Sequence, residues 1–240
     1  MRPIDLATRE TLRWLSDLLP APPARILDVG CGQGYLAAQL LAQGFQVTAL
    51  DKDPEAVRRA REAGVQSMEA DFLDYEDEVY DVVVFSRSLH HIHPLSKAVA
   101  RASALLKPGG LLFAEEFARE RADRETAAWF FDMCSLLEAS GVLSSGDALP
   151  SSPDPLQRWH ALYASVDEHP LHEGAAMRAT LQRYFEFTES TESAYLYQSL
   201  SQWLEESDRG FRVAEELLKI EGRRIAECSL VALGLSLVAR

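Results

Sequence analysis

Apolar positions along the chain recur at two spacings, and the switches between them mark out a series of strands and helices. Leu6, Leu12, Leu15, Leu18 and Leu19 fall at helical spacing and stop at Pro20, predicting an amphipathic helix ahead of a turn through Pro22 and Pro23. Arg25 to Val29 then reads as a strand leading into Gly30, and Tyr35 to Gln43 as a helix ended by Gly44. The same unit returns with Gln46 to Leu50 as a strand, Pro54 to Glu62 as a helix stopped by Gly64, and Gln66 to Ala70 as a third strand. Asp81 to Phe85 is apolar enough for a strand buried on both faces. A helix from Leu95 to Leu106 follows, then a turn of Lys107, Pro108, Gly109 and Gly110 and a fifth strand from Leu111 to Glu115. Strands alternating with helices in this way predict a parallel sheet covered by helices on both faces.

Beyond Phe117 the pattern changes. Arg124 to Ser140 and Pro155 to Val166 read as helices, separated by a loop rich in Gly, Ser and Pro from Gly141 to Pro153, which predicts an insertion or cap. Tyr184 to Thr188 reads as a sixth strand, Tyr195 to Glu205 and Phe211 to Glu221 as helices, and Cys228 to Ala239 as a long apolar closing strand. The expected organisation is a single domain over 1–240, with an N-terminal helix inside 1–24 and a helical cap over 118–182 between strands five and six. Neither an internal repeat nor a low-complexity tract interrupts it.

Composition narrows the partners. A chain of 240 residues, 47% hydrophobic and 25% charged, matches ordinary soluble domains and can bury on the order of 70% of its unfolded surface. A formal net charge of -13 repels a phosphate backbone, so a nucleic-acid substrate is disfavoured. Cys31, Cys134 and Cys228 stand far apart without a CxxC pair, so neither a disulfide framework nor a structural zinc is expected. Asp5, Glu10 and Asp17 interrupt the N-terminal apolar residues, unlike a signal peptide, and no stretch reaches the ~18 apolar residues of a membrane span. The expected setting is cytoplasmic and reducing, with no membrane partner.

The chemistry concentrates in Leu27, Asp28, Val29, Gly30, Cys31, Gly32, Gln33 and Gly34. A strand that ends in GxGxG and opens a helix lets bare backbone approach a ligand. Dinucleotide dehydrogenases space their glycines GxGxxG, and here the third glycine comes one residue early. With Asp28 ahead of the glycines, LDVGCGQG resembles the S-adenosylmethionine (SAM) signature of the class I methyltransferases. Three further stretches strengthen the likeness: ALDKDP with Asp51, EADFLD with Asp71 and Phe72, and the pair YDVVVFSRSLHHI and LLKPGGLLFAEE, from Tyr80 to Ile92 and from Leu105 to Glu116. These cover the first half of the chain. The second half carries only a looser likeness in WHALYAS and LHEGAAMRATLQRYF.

The resemblance implies a Rossmann-like, doubly wound, mostly parallel seven-stranded sheet whose final strand is antiparallel. It implies SAM as cofactor, leaving S-adenosylhomocysteine, in a site made by Asp28, Gly30, Cys31, Gly32 and Gly34. Asp51 would accept from the ribose hydroxyls, Asp71 would lie near the adenine amino group with Phe72 or Leu73 in apolar contact, and Lys52 and, at the end of the fourth strand, Ser86 would also belong to the cofactor site. Asp53 reads instead as a helix cap before Pro54. A small-molecule acceptor with an oxygen, nitrogen or carbon nucleophile is the expected partner.

Methyl transfer is an in-line displacement, so alignment matters most, and an oxygen or nitrogen nucleophile must also lose a proton. His90 and His91, with His93 close by, are the candidate bases after the fourth strand. Glu115 or Glu116 can orient an acceptor, or simply face water. Trp129, Phe130, Phe131, Trp159, His160 and Tyr163 can line an apolar lid or pack a core. Phe85 to Ser88 reads FSRS, which lacks both the Asn-Pro-Pro-Tyr motif of base-methylating enzymes and a carboxylate for magnesium, so no metal is expected. A second reading stays open at this point, a protein of the same fold that binds SAM for regulation or assembly without turnover.

Overall fold

The computed structural model describes residues 2–143, 149–164 and 170–240. Strands β1 (Arg25–Val29), β2 (Gln46–Asp51), β3 (Ser67–Glu69), β4 (Tyr80–Ser86), β5 (Leu106–Phe117), β6 (Phe187–Ser193) and β7 (Gly234–Ala239) form one sheet in the order β3-β2-β1-β4-β5-β7-β6. β1 pairs in parallel with β2 on one side and with β4 on the other, Ile26 lying opposite both Val47 and Val82. Glu186 and Arg240 exchange two N–H···O bonds of 2.8 and 2.9 Å, the reciprocal pattern of antiparallel neighbours, so β7 runs against the rest. The chain leaves β1 outward to β3 and returns to β4, which makes the β1/β4 carboxyl end the point where strand order reverses and ligands of such sheets settle.

Side chains alternate across the sheet and divide its core in two. Leu27, Val29, Val83 and Phe85 join one apolar cluster, with Ala98 and Ala102 of α4 (Leu95–Leu105) and Met177 and Leu181 of α7 (Gly174–Leu181). Ile26, Val82 and Val84 join the other, with Leu15 of α1 (Asp5–Ser16) and Leu36 and Leu40 of α2 (Tyr35–Ala42). α3 (Pro54–Glu62) starts where expected, because Asp53 accepts the Glu55 N–H at 2.9 Å and Pro54 presets the first turn.

By compactness the chain divides into a sheet unit, Thr8–Phe117, His172–Thr191 and Leu235–Arg240, and a helical unit, Met1–Ala7, Ala118–Leu171 and Glu192–Gly234. The helical segment expected over 118–182 therefore stops at Leu171, and α7 belongs with the sheet. The helical unit contains α5 (Arg124–Ala139), α6 (Pro155–Tyr163), α8 (Leu196–Ser201) and α9 (Asp208–Ala226). Asp123, Asp154 and Ser207 cap α5, α6 and α9 by accepting N–H groups of their first turns. The ring of Phe130 meets Phe131, Trp159 and Trp203 edge-on, so these aromatics pack a core. Residues 165–166 of the expected helix to Val166, and 144–148 of the expected loop to Pro153, lie outside the described residues.

Four elements differ from the sequence pattern. β5 begins at Leu106, opposite Tyr80, and regains register only where Leu111 meets Val82, so Lys107 to Gly110 are a bulge within the strand. The sixth strand starts three residues later than the apolar pattern indicated, at Phe187. The closing strand is halved, because Ser229 and Leu230 donate their N–H groups to Arg224 O and Cys228 turns left-handed at φ 55, finishing α9 instead. α7 escaped notice because one turn of small residues precedes its only large apolar anchors, Met177 and Leu181.

Candidate functional site

β1 ends in the glycine turn, and all three glycines take the left-handed backbone their type favours, at φ 71, 53 and 77 for Gly30, Gly32 and Gly34. Their surroundings differ. A Cβ at Gly30 would stand 2.5 Å from Ser88 Cβ, and one at Gly34 would stand 2.8 Å from Ala60 Cβ, so both seat the turn against neighbouring elements. A Cβ at Gly32 meets nothing within 4 Å, so the middle glycine opens on space.

Backbone donors of this turn are already engaged. Gly30 and Cys31 both donate to Leu50 O at 2.8 Å, Gly34 donates to Cys31 O at 3.0 Å, and Gly32 donates to Asp51 Oδ2 at 2.8 Å. Carboxylates also border this turn. Asp28 is buried and its Oδ2 meets no donor among the described residues. Burial pushes its pKa up to about 7, with Arg87 pulling it down and Asp51 pushing it up. Burial also pushes the Cys31 thiol up, helped by Asp28 and Asp51, so this cysteine stays protonated. Asp51, at the end of β2, is held by the Gly32 and Asp53 N–H groups at 2.8 and 2.9 Å, and Lys52 beside it is exposed.

Asp71 is exposed and accepts the Leu73 N–H at 2.8 Å, forming a local turn after β3. Phe72, which with Leu73 is one of two residues the resemblance offers for apolar contact with the adenine, is buried. It is 5% exposed and packs edge-on against Phe85, 5.5 Å between centroids, so its ring is core, and half-buried Leu73 is the apolar neighbour left at that turn.

Past β4 the chain enters two hydrogen-bonded clusters, each centred on a carboxylate of β5. Glu115 Oε2 accepts from Thr11 Oγ1 at 2.6 Å, Arg87 Nη1 at 2.9 Å and Ser86 Oγ at 3.3 Å. Three donors thus converge on one oxygen of this buried carboxylate, Ser86 among them. Glu116, wholly buried, accepts the N–H groups of Leu89 at 2.8 Å, Ser88 at 3.2 Å and His90 at 3.4 Å, and pairs with His90 Nδ1. It thereby caps the 3₁₀ turn Leu89–His91.

His90 is buried, and His91 is exposed with its ring 4.3 Å from that of His90. His172 donates its N–H to His90 O at 3.0 Å, bonds Ile92 O through Nε2, and stacks on His93 at 3.9 Å. Burial holds the pKa of His172 down. Sequence reasoning missed Ser88, whose Oγ donates to Val29 O and fastens this turn to β1, and His172, 80 residues along the chain from Ile92. Only tertiary pairing reveals them. Among the described residues no group of three His, Cys, Asp or Glu could hold a metal ion, and no helix is long and apolar enough to cross a membrane.

An adenosyl sulfonium fits these residues better than a dinucleotide. The switch point offers a buried carboxylate with one oxygen lacking a donor among the described residues, a second carboxylate at the end of β2 and an open glycine.

Comparison with known proteins agrees. A family model described as a methyltransferase domain matches residues 5–215. Ubiquinone biosynthesis O-methyltransferase of Xylella fastidiosa is 34% identical across 50% of this chain and 53% of its own, and that of Xanthomonas oryzae pv. oryzae is 39% identical across 47% and 51%. The chain thus spans about half the length of these curated relatives. Among solved structures, a SAM-dependent methyltransferase from Mesorhizobium loti superposes with a TM-score of 0.60 at 19% identity, over 98% of this chain and 97% of that one. The N-methyltransferase NodS of Bradyrhizobium japonicum, in complex with S-adenosyl-L-homocysteine, gives 0.54 at 14% identity over 100% and 88%. These structures share the fold. With the family match running over most of its length and the sheet order and glycine turn in agreement, the chain belongs to the methyltransferase-domain family.

Proposed function

We propose that this protein transfers the methyl group of SAM to a hydroxyl oxygen of a small molecule. The observation that carries the reading is the β1/β4 switch point, where the buried Asp28 has an oxygen that meets no donor among the described residues and Asp51 stands at the neighbouring strand end beside the open Gly32. When bound, SAM supplies a methyl carbon activated by positive sulfur. Asp28 would meet a cationic part of the ligand, which repays the burial of its charge. Asp51 keeps lone pairs beyond the two N–H bonds that brace it and would accept from the ribose hydroxyls, with Lys52 at the rim. Asp71 and Leu73 would flank the adenine, and Gly32 and Cys31 allow the close approach.

Oxygen as the target follows from two supports. The curated relatives bear the name O-methyltransferase, and an alcohol or phenol needs a proton acceptor, which the buried His90 can provide.

Two measurements test the proposal. Calorimetry should show S-adenosylhomocysteine binding to the wild type, and tritiated methyl from SAM should appear as a methyl ether in a panel of phenols, catechols and hydroxy acids. No binding at millimolar ligand ends the cofactor reading. Tight binding with no transfer to any hydroxyl favours a SAM-binding module without turnover, and label on nitrogen moves the target atom.

A further inference from the structure

We propose that Glu116 is the positioning residue that fixes His90 as a proton acceptor, by holding the hydrogen of Nδ1 and leaving the lone pair on Nε2. The inference rests on the methyl-transfer reading above and adds a residue and a tautomer to it.

Glu116 is fully buried at the end of β5, and its two oxygens receive the N–H groups of Ser88, Leu89 and His90 as well as the His90 ring. An ionised carboxylate only accepts, so the hydrogen between it and the ring belongs to Nδ1. The ring is then neutral with Nε2 as its one acceptor, or it is imidazolium. Nε2 has no hydrogen bond among the described residues. The same carboxylate sets the backbone of the turn that carries the ring, so rotation of the side chain and movement of the turn are restrained together.

The groups around this pair leave Glu116 as the anion that meets it. On the turn itself His91 lies ring to ring with His90, and from the segment before α7 His172 bonds the His90 carbonyl, with His93 stacked behind it. α4 and α7 share the apolar cluster of Leu89 through Leu95, Ala98, Met177 and Leu181. In the reaction the acceptor proton passes to Nε2, and the O–H electron pair stays on oxygen as the nucleophile. The imidazolium so formed is stabilised by Glu116 until it returns its proton to water.

A carboxylate that served only to cap the turn would leave the ring free to choose its tautomer, and that difference decides the test. Nitrogen NMR of the histidine-labelled protein without ligand, with His90 assigned by the signal lost in His90→Gln, should show a protonated Nδ1 and an unprotonated Nε2 in the neutral ring. Glu116→Gln should mix or reverse the two, because an amide can also donate. Predominant Nε2–H in the wild type overturns the proposal, and so does an unchanged tautomer in Glu116→Gln. In the methyl-transfer assay Glu116→Gln should lower kcat about tenfold or more with KM for SAM unchanged, and Glu116→Asp should recover part of the loss. Loss confined to KM overturns the catalytic side. With His90 assigned in this way, the wild-type spectrum decides even where the Glu116 variants fail to fold. Calorimetry with S-adenosylhomocysteine separates the two levels, because its failure removes the methyltransferase reading while the tautomer still judges the pair.

Discussion

Glu221 of α9 accepts the N–H groups of Tyr195, Leu196 and Tyr197 at 2.7 to 2.8 Å, and Glu116 of β5 accepts those of Ser88, Leu89 and His90. Each glutamate is 0% exposed, and each closes the start of a short helical turn whose amides would otherwise lack partners. They differ in one respect. Backbone amides are the donors recorded for Glu221, and burial pushes its pKa up to about 7 although those amides pull the other way. Glu116 has in addition an imidazole, whose charge it can stabilise. Capping alone is structural, and in the proposed reaction it is the ring that would turn the same device toward chemistry.

The widest separation of the two regions is expected from function. His90→Asn should lower methyl transfer about 100-fold or more, the scale of a lost general base, whereas Glu221→Gln should leave kcat and KM unchanged, as read by tritium transfer from SAM. Equal losses in both variants would erase the distinction. Next in size, Glu221→Ala strips three amides of their acceptor and should cost about 2–3 kcal/mol in urea unfolding followed by tryptophan fluorescence.

Titration sharpens the comparison further. Burial pushes Asp28 in the sheet unit and Glu221 in the helical unit each up to about 7, well above the ordinary carboxyl range. A carboxyl raised in this direction contributes stability that is complete below its unfolded value and is lost as the pH climbs through the folded one. Asp28→Asn should therefore remove about 2 kcal/mol of the stability lost between pH 5 and pH 8, measured by denaturation at both. An unaltered slope would mean that Asp28 finds a counter-charge in solution. The smallest effect is expected at Asp51, where Asp51→Ala should weaken S-adenosylhomocysteine binding by about 1 kcal/mol in calorimetry. Unchanged affinity would place the ribose elsewhere.

Much of the first half was legible without coordinates. β1, α3 and the glycine turn lie where periodicity and punctuation put them, because their signals are local: Asp53 with Pro54 starts a helix, and Gly30, Gly32 and Gly34 take backbone angles that other residues resist. The second half was less readable. Cys228 to Val231 continue the apolar run of β7, yet they serve as the end of α9, with Val231 N–H on Thr126 Oγ1 at 2.9 Å, a partner 105 residues away. Phe72 followed the same rule, its apolar ring claimed by Phe85.

What the sequence determined by itself is the sheet-and-helix alternation and a glycine turn flanked by Asp28 and Asp51, since each depends on neighbours along the chain. Tertiary structure decided between Glu115 and Glu116. Consecutive residues of a strand point to opposite faces, so the two carboxylates part company at β5, one toward Thr11 and Arg87 and the other toward His90. Which face receives which partner depends on the register of β5 against β4, and that register is set across the sheet by Val83 opposite Leu112 and Phe85 opposite Ala114, far from either glutamate's neighbours in sequence.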